Sequence, residues 1–127
     1  MNLRSPLGRA RGLGSAQQGV SHFWHQRLTA LGLVPLTFWF VISVILLAGR
    51  DYTQFQAWLK NPFDATLLLL TIFAAVHHGQ LGIQVVIEDY VHSRGIRTFS
   101  IVAVKFAALL IGVFSAVAVF RVAFVGG

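Results

Sequence analysis

The 127-residue chain contains no cysteine. Disulfide scaffolds, thiolate metal sites, iron–sulfur ligation and cysteine nucleophiles are therefore excluded. Any metal or cofactor held by this chain must rest on His, Asp, Glu, Tyr or Met. Charge is also scarce: charged residues make up 11% of the chain, against roughly 25% in a soluble domain. So little charge cannot cover a water-facing surface, which argues against a soluble globular enzyme. Nucleotide fingerprints, P-loops, metal-ligand clusters and nucleophile–base pairs are all missing. No catalytic residue is expected, and the chain is not expected to be catalytic on its own.

What is abundant is apolar side chain, at 56% hydrophobic residues and a mean hydropathy of +0.72. Three long apolar runs account for it, at about Leu28–Ala48, Ala65–Tyr90 and Phe99–Val125. Each is long enough to cross about 30 Å of hydrocarbon as a helix rising 1.5 Å per residue. None alternates with the period of two that a β-barrel needs. The expected fold is an all-α membrane protein with three transmembrane helices. It comprises a basic N-terminal segment, residues 1–21, and a three-helix anchor domain, residues 22–127. Pro35 lies in the first run, where neighbouring helices make it tolerable. Ala108, Gly112 and Ala116 form a small-residue stripe suited to close helix packing.

Ten Lys plus Arg against four Asp plus Glu give a net charge of +6. The basic tail lacks interleaved aromatics and adjoins a membrane span, so the excess reads as topology signal and acidic-lipid contact, not nucleic-acid binding. Arg4, Arg9, Arg11, Arg27, Arg94 and Arg97 collect on one side; Arg50, Lys60 and Arg121 collect on the other. The positive-inside rule then puts the N-terminus in the cytoplasm and the C-terminus in the periplasm. Lys105 is expected to snorkel back to the cytoplasmic face. The start of the chain carries no apolar stretch of the signal-peptide kind and reads as an uncleaved bacterial N-terminus.

Polar and ionisable groups at membrane depth are costly and ask for a reason. The second run concentrates them: His77, His78, Gln80, Gln84, Glu88 and Asp89. At 100° per residue, His78, Leu81, Gly82, Val85 and Asp89 share one helix face to within about 60°. A histidine with a glycine one turn away allows a flat macrocycle to approach the backbone, and neutral imidazole is the usual axial ligand of haem iron. The commoner role of a mid-span histidine is a hydrogen bond to a neighbouring helix. Spacing alone leaves both open for His78, and leaves the choice between His77 and His78 open too. Tyr90 fits an interfacial anchor, or a phenol donating to a quinone carbonyl with Asp89 beside it. Arg27 fits a positive-inside anchor, or a partner for a carboxylate such as a haem propionate. His22, His25 and His92 are expected to be interfacial or solvated, without a site role, and Glu88 to be solvated.

The stretch from His78 through Gly82 to Asp89-Tyr90 resembles the signature of the small hydrophobic membrane-anchor subunit of succinate dehydrogenase, complex II. That family shows a His, a Gly four residues later, and an Asp-Tyr pair eleven and twelve residues after the His. The Gln-Arg27-Leu-Thr-Ala element that opens the first span is similar to the family's N-terminal pattern. The Ser-Pro-Leu-Gly-Arg start resembles that of alphaproteobacterial and mitochondrial anchors. The resemblance covers about the whole chain, and its specific part is the window from His78 to Tyr90.

The resemblance implies that His78 is one axial ligand of a b-type haem, the second coming from a partner membrane anchor. It implies Arg27 near a haem propionate, close approach of the haem at Gly82, and Tyr90 and Asp89 in the ubiquinone pocket. FAD and the iron–sulfur clusters would belong to a flavoprotein and an iron–sulfur subunit, which the two anchors attach to the membrane. The setting would be the bacterial inner membrane, with the mitochondrial inner membrane as the other candidate. The doubled histidine departs from the pattern, and His77 has no assignable counterpart. The family includes anchors with no haem or two haems; a single in-register His favours the one-haem type. The competing expectations are a fumarate reductase anchor using menaquinone, and a cofactor-free structural membrane protein.

Overall fold

The computed structural model describes Pro6 and residues 13–125, helical almost throughout. Most of the expected basic segment 1–21, including Arg4, Arg9 and Arg11, lies outside the described residues. Helix α1 runs Leu13–Leu47, α2 Tyr52–Leu59, α3 Pro62–Tyr90 and α4 Arg94–Phe120, followed by a π-helical turn, Arg121–Val125. Among the described residues, three stretches are long and apolar enough to span a membrane: Val20–Leu47, Pro62–Tyr90 and Arg94–Val125. The chain is a multi-pass, all-α membrane protein.

Each boundary has a local cause. Helix α1 continues unbroken through Pro35. It is closed at Gly49, whose φ of 78° is the left-handed conformation that commonly ends a helix. Asp51 then starts α2 with a capping box: its carboxylate accepts from the Gln54 backbone N–H at 2.9 Å, and Gln54 Oε1 accepts from the Asp51 N–H at 3.2 Å. Asn61 Oδ1 accepts from Phe63 N at 3.0 Å to start α3, with Pro62 at the first helical position, where its missing N–H costs nothing. The polar connector after the first span thus holds a short helix of its own. Its caps specify it; hydropathy does not.

Helix α3 packs against both α1 and α4 and is the centre of the bundle. The main core sits at one end of the bundle, where Leu59 is 1% exposed and clusters with Val119 and Ala123. Phe55, Trp58, Ala65, Leu68, Leu69, Ile72 and Val122 pack around them, so α2 folds back over the start of α3 and the end of α4. Trp39 stacks on Trp58 with centroids 5.9 Å apart, tying α1 into the same end. Gln56 Nε2 donates to the Val122 carbonyl at 3.4 Å, using an acceptor in the π turn. Elsewhere the large apolar side chains stay exposed: Phe38, Phe106, Leu110 and Phe114 are each more than two-thirds accessible. In a membrane these surfaces meet lipid tails or other subunits.

The stripe Ala108–Gly112–Ala116 serves contact within the chain. Gly112 is buried, and a Cβ placed there would lie 3.5 Å from Phe73 Cε1 on α3. Arg27 lies well inside α1, which begins at Leu13, and does not open it. Helix geometry extends N-terminal to the apolar run because hydropathy marks only the part suited to lipid.

Candidate functional site

His78 sits in the middle of α3 and is half-buried against α1. Its Nδ1 lies 3.3 Å from the Thr29 hydroxyl oxygen. That hydroxyl also lies 2.9 Å from the His25 carbonyl and 3.0 Å from the Gln26 carbonyl, on its own helix. His78 Nε2 makes no hydrogen bond to any described residue. Beside the imidazole is a cleft of about 320 Å³ walled by Ala30, Leu33, Val34, Thr37 and Phe38 of α1. These recur at three- and four-residue steps, so they form one stripe along α1. The cleft is apolar apart from the Thr37 hydroxyl and the imidazole itself.

Arg27 shares this stripe. At 100° per residue it falls within about 20° of Val34 and Phe38 and within about 60° of Ala30. Arg27 thus stands about one turn before Ala30, the first groove residue, and is not among the residues lining the cleft. Its guanidinium rests 4.9 Å from the centroid of the Phe23 ring, a cation–π contact. Gly82, one turn beyond His78, faces open space: a Cβ there would meet nothing within 4 Å. Leu81 beside it is buried and packs the helix, so the face has one seated and one open position.

Asp89 and Tyr90 end α3, about 17 and 18 Å along the axis from His78 at 1.5 Å per residue. Asp89 is exposed and Tyr90 is 77% exposed. Among the described residues no hydrogen bond joins Asp89, Tyr90 and Arg27. The expected site residues thus fall apart: His78 at a groove between α1 and α3, Arg27 about one turn before that groove on α1, and an exposed pair at the end of α3.

His77 points away from that groove. Its ring lies 6.2 Å from the His25 ring, and both line a second, polar cavity with Ser21, His22, Gln80, Gln84 and Lys105. Gln80 donates to Gln84 at 2.9 Å, and Gln84 donates to Glu88 at 3.0 Å, a ladder along one side of α3. His22 Nε2 is buried there without a partner among the described residues. Lys105 lies about 16 Å along α4 from its first residue and lines this cavity. Among the described residues no group of three His, Asp or Glu is placed to hold a metal ion. Sequence reasoning missed Thr29, although it stands two residues after Arg27 in the Gln-Arg-Leu-Thr-Ala element. A hydroxyl inside an apolar run was the available signal.

Comparison with known proteins identifies what this arrangement belongs to. Residues 1–112 match the family described as succinate dehydrogenase/fumarate reductase transmembrane subunit. The chain belongs to that family. It is 34% identical over 119 residues to the succinate dehydrogenase hydrophobic membrane anchor subunit of Rickettsia bellii, covering 94% of this chain and 95% of the relative. It is 30% identical over 120 residues to the anchor subunit of Rickettsia conorii, covering 94% and 95%. It is 33% identical over 90 residues to that of Paracoccus denitrificans, covering 71% and 70%. No solved structure matches significantly. Membership of this family implies association with the membrane and with the catalytic subunits of the enzyme.

Proposed function

We propose that the chain is the membrane-anchor subunit of a succinate:ubiquinone oxidoreductase of the bacterial inner membrane, with its N-terminus in the cytoplasm and its C-terminus in the periplasm. With a second membrane anchor, it attaches an iron–sulfur subunit and a flavoprotein subunit to the membrane, in the respiratory chain and the tricarboxylic acid cycle. The observation that carries this function is His78. It is a half-buried imidazole at membrane depth, tied to α1 through Nδ1 and standing at an apolar cleft, in a chain of this family.

The donor set fits a b-type haem. His78 offers a nitrogen with no described protein partner, the groove wall is apolar, Gly82 leaves the helix surface open, and Arg27, about one turn before the groove on α1, carries a fork-shaped cation matched to a carboxylate. A cleft of about 320 Å³ is at the small end of ligand pockets, as suits one wall of a site shared with another subunit. When bound, the haem supplies a one-electron redox centre whose potential is set by its axial ligands and surroundings.

Ubiquinone has an apolar tail and a polar head, so its site belongs at the interface. Tyr90 and Asp89 stand at the end of the α3 span, where a phenol O–H can donate to a quinone carbonyl and a carboxylate can hold the phenol in place. Their exposure in this chain leaves them available to a pocket completed by the other subunits. The chain binds and orients; it does not itself oxidise succinate, and its lack of cysteine leaves the clusters to a partner.

The test is expression of the full complex with His78→Ala. Purified in mild detergent, it should lose the b-type absorbance seen in the reduced-minus-oxidised spectrum of the unsubstituted complex. Unchanged absorbance in His78→Ala would overturn the haem reading. Failure of the unsubstituted chain to co-purify with flavin- and cluster-bearing subunits would overturn the anchor reading itself. The quinone extracted with the complex separates ubiquinone from menaquinone, and hence a succinate oxidase from a fumarate reductase.

A further inference from the structure

We infer that Thr29 is a positioning residue for His78: its hydroxyl accepts a hydrogen bond from Nδ1–H and thereby fixes the tautomer that leaves Nε2 as the free lone pair. The inference rests on His78 being the axial ligand, and adds a residue and a tuning role to that assignment.

The count of protons at Thr29 sets the direction of the bond. Thr29 Oγ1 has a single proton and three oxygen or nitrogen neighbours: the His25 carbonyl at 2.9 Å, the Gln26 carbonyl at 3.0 Å and His78 Nδ1 at 3.3 Å. Carbonyl oxygens only accept, whereas a neutral imidazole nitrogen can accept or donate. The two nearer neighbours therefore claim the hydroxyl proton, in the back-bond that Thr commonly makes to the preceding turn of its own helix. The oxygen is then left with lone pairs towards Nδ1, and the contact is satisfied only if Nδ1 carries the ring proton. With one proton on the neutral ring, Nε2 is unprotonated. The carbonyls fix the hydroxyl, the hydroxyl fixes the imidazole, and the chain presents a ligand whose tautomer is set before any metal arrives.

The same bond has an electronic consequence. An acceptor on the far nitrogen of a metal-bound imidazole raises its basicity and favours the more oxidised metal. Removing that acceptor should raise the reduction potential of the haem. Thr29 also anchors His78 to α1, so the groove wall and the ligand move as one unit.

The experiment compares Thr29→Val, which keeps the volume and loses the hydroxyl, with Thr29→Ser, which keeps the hydroxyl and loses a methyl, in the full complex. The readouts are haem per complex, the potentiometric midpoint of the b-type absorbance and the electron paramagnetic resonance signal of the ferric state. The expected result is a rise in midpoint for Thr29→Val, reaching up to about tenfold in the ratio of reduced to oxidised haem at fixed ambient potential, or 59 mV for one electron. Its resonance signal should shift, while Thr29→Ser stays at the unsubstituted values. A packing role predicts the reverse order, with Thr29→Ser the more perturbed, and that order would overturn the inference. So would equal midpoints and spectra for all three. If Thr29→Val does not assemble, Thr29→Ala replaces it. Haem retained at the unsubstituted midpoint by Thr29→Ala overturns the inference; haem lost or shifted in Thr29→Ala and kept in Thr29→Ser supports it. Loss of absorbance in His78→Ala with no effect of Thr29→Val defeats the Thr29 role alone. Persistence of absorbance in His78→Ala defeats the underlying ligand assignment.

Discussion

Replacing Gly82 with leucine separates what this chain needs for itself from what it presents to others. A Cβ at Gly82 would meet nothing within 4 Å inside the chain, so a side chain there starts into open space. Exchanging Gly for Leu inside a helix should even favour the helix, by up to about 1 kcal/mol. The fold of the isolated chain is therefore expected to be unharmed. If a macrocycle held by His78 lies over this face, four added carbons occupy the space it needs. Overpacking a filled site costs about 1–3 kcal/mol, equivalent to about 5- to 150-fold weaker retention. The assay is haem per complex, set beside helicity and thermal unfolding of the same detergent preparation. The expected outcome is unchanged helicity with haem content reduced and lost further on dilution. Full haem content with an unaltered midpoint would show that nothing flat lies against Gly82, and the groove would have to be read differently.

Gly112 is the contrasting glycine, because a Cβ there would touch the Phe73 ring at 3.5 Å. That is ordinary contact, so Gly112→Ala should be neutral or stabilising, whereas Gly112→Leu should separate α3 from α4 and cost about 1–3 kcal/mol in thermal or detergent unfolding. Leu59→Ala should cost about 2–5 kcal/mol by the same measurement, since Leu59 is 1% exposed at the centre of the end core; a loss below about 1 kcal/mol would mean that α2 does not hold the bundle end. Gly49→Ala should cost about 1–2 kcal/mol through backbone strain alone, φ there being 78° with open space around the position. Tyr90→Phe should lower electron transfer from succinate to ubiquinone by about tenfold, the worth of one hydrogen bond of roughly 1.4 kcal/mol. It should leave succinate oxidation by an artificial dye intact, and equal loss of both rates would remove Tyr90 from the quinone site.

Hydropathy made the three spans legible because a membrane helix must be apolar along its whole length, and no tertiary contact is needed to enforce that. The face carrying His78 and Gly82 was equally legible, since helical spacing alone puts them on one side. The boundaries of α1 were not: polar residues such as Gln17 and Gln18 continue the helix N-terminal to the apolar run, and hydropathy does not register them. Helix α2 was hidden because its own N-cap, Asp51, and Asn61, the N-cap of α3 that follows it, look like ordinary connector residues until their side chains are seen to bond Gln54 and Phe63. The role of Thr29 depends on which turn of α1 meets which turn of α3, and no pattern within either helix specifies that register.

The amino-acid sequence by itself determined a three-span membrane chain without cysteine, in which His78, Gly82 and Tyr90 stand at fixed helical offsets. These are consequences of composition and of the 3.6-residue period, which act along a single helix. Only the tertiary structure decided that His78 meets Thr29, that His78 borders an apolar cleft along α1, that His77 turns instead to His25 and a polar cavity, and that Gly112 is filled by Phe73. Those outcomes depend on how far one helix slides and rotates against the next, and that is settled by the fit of side chains across the contact.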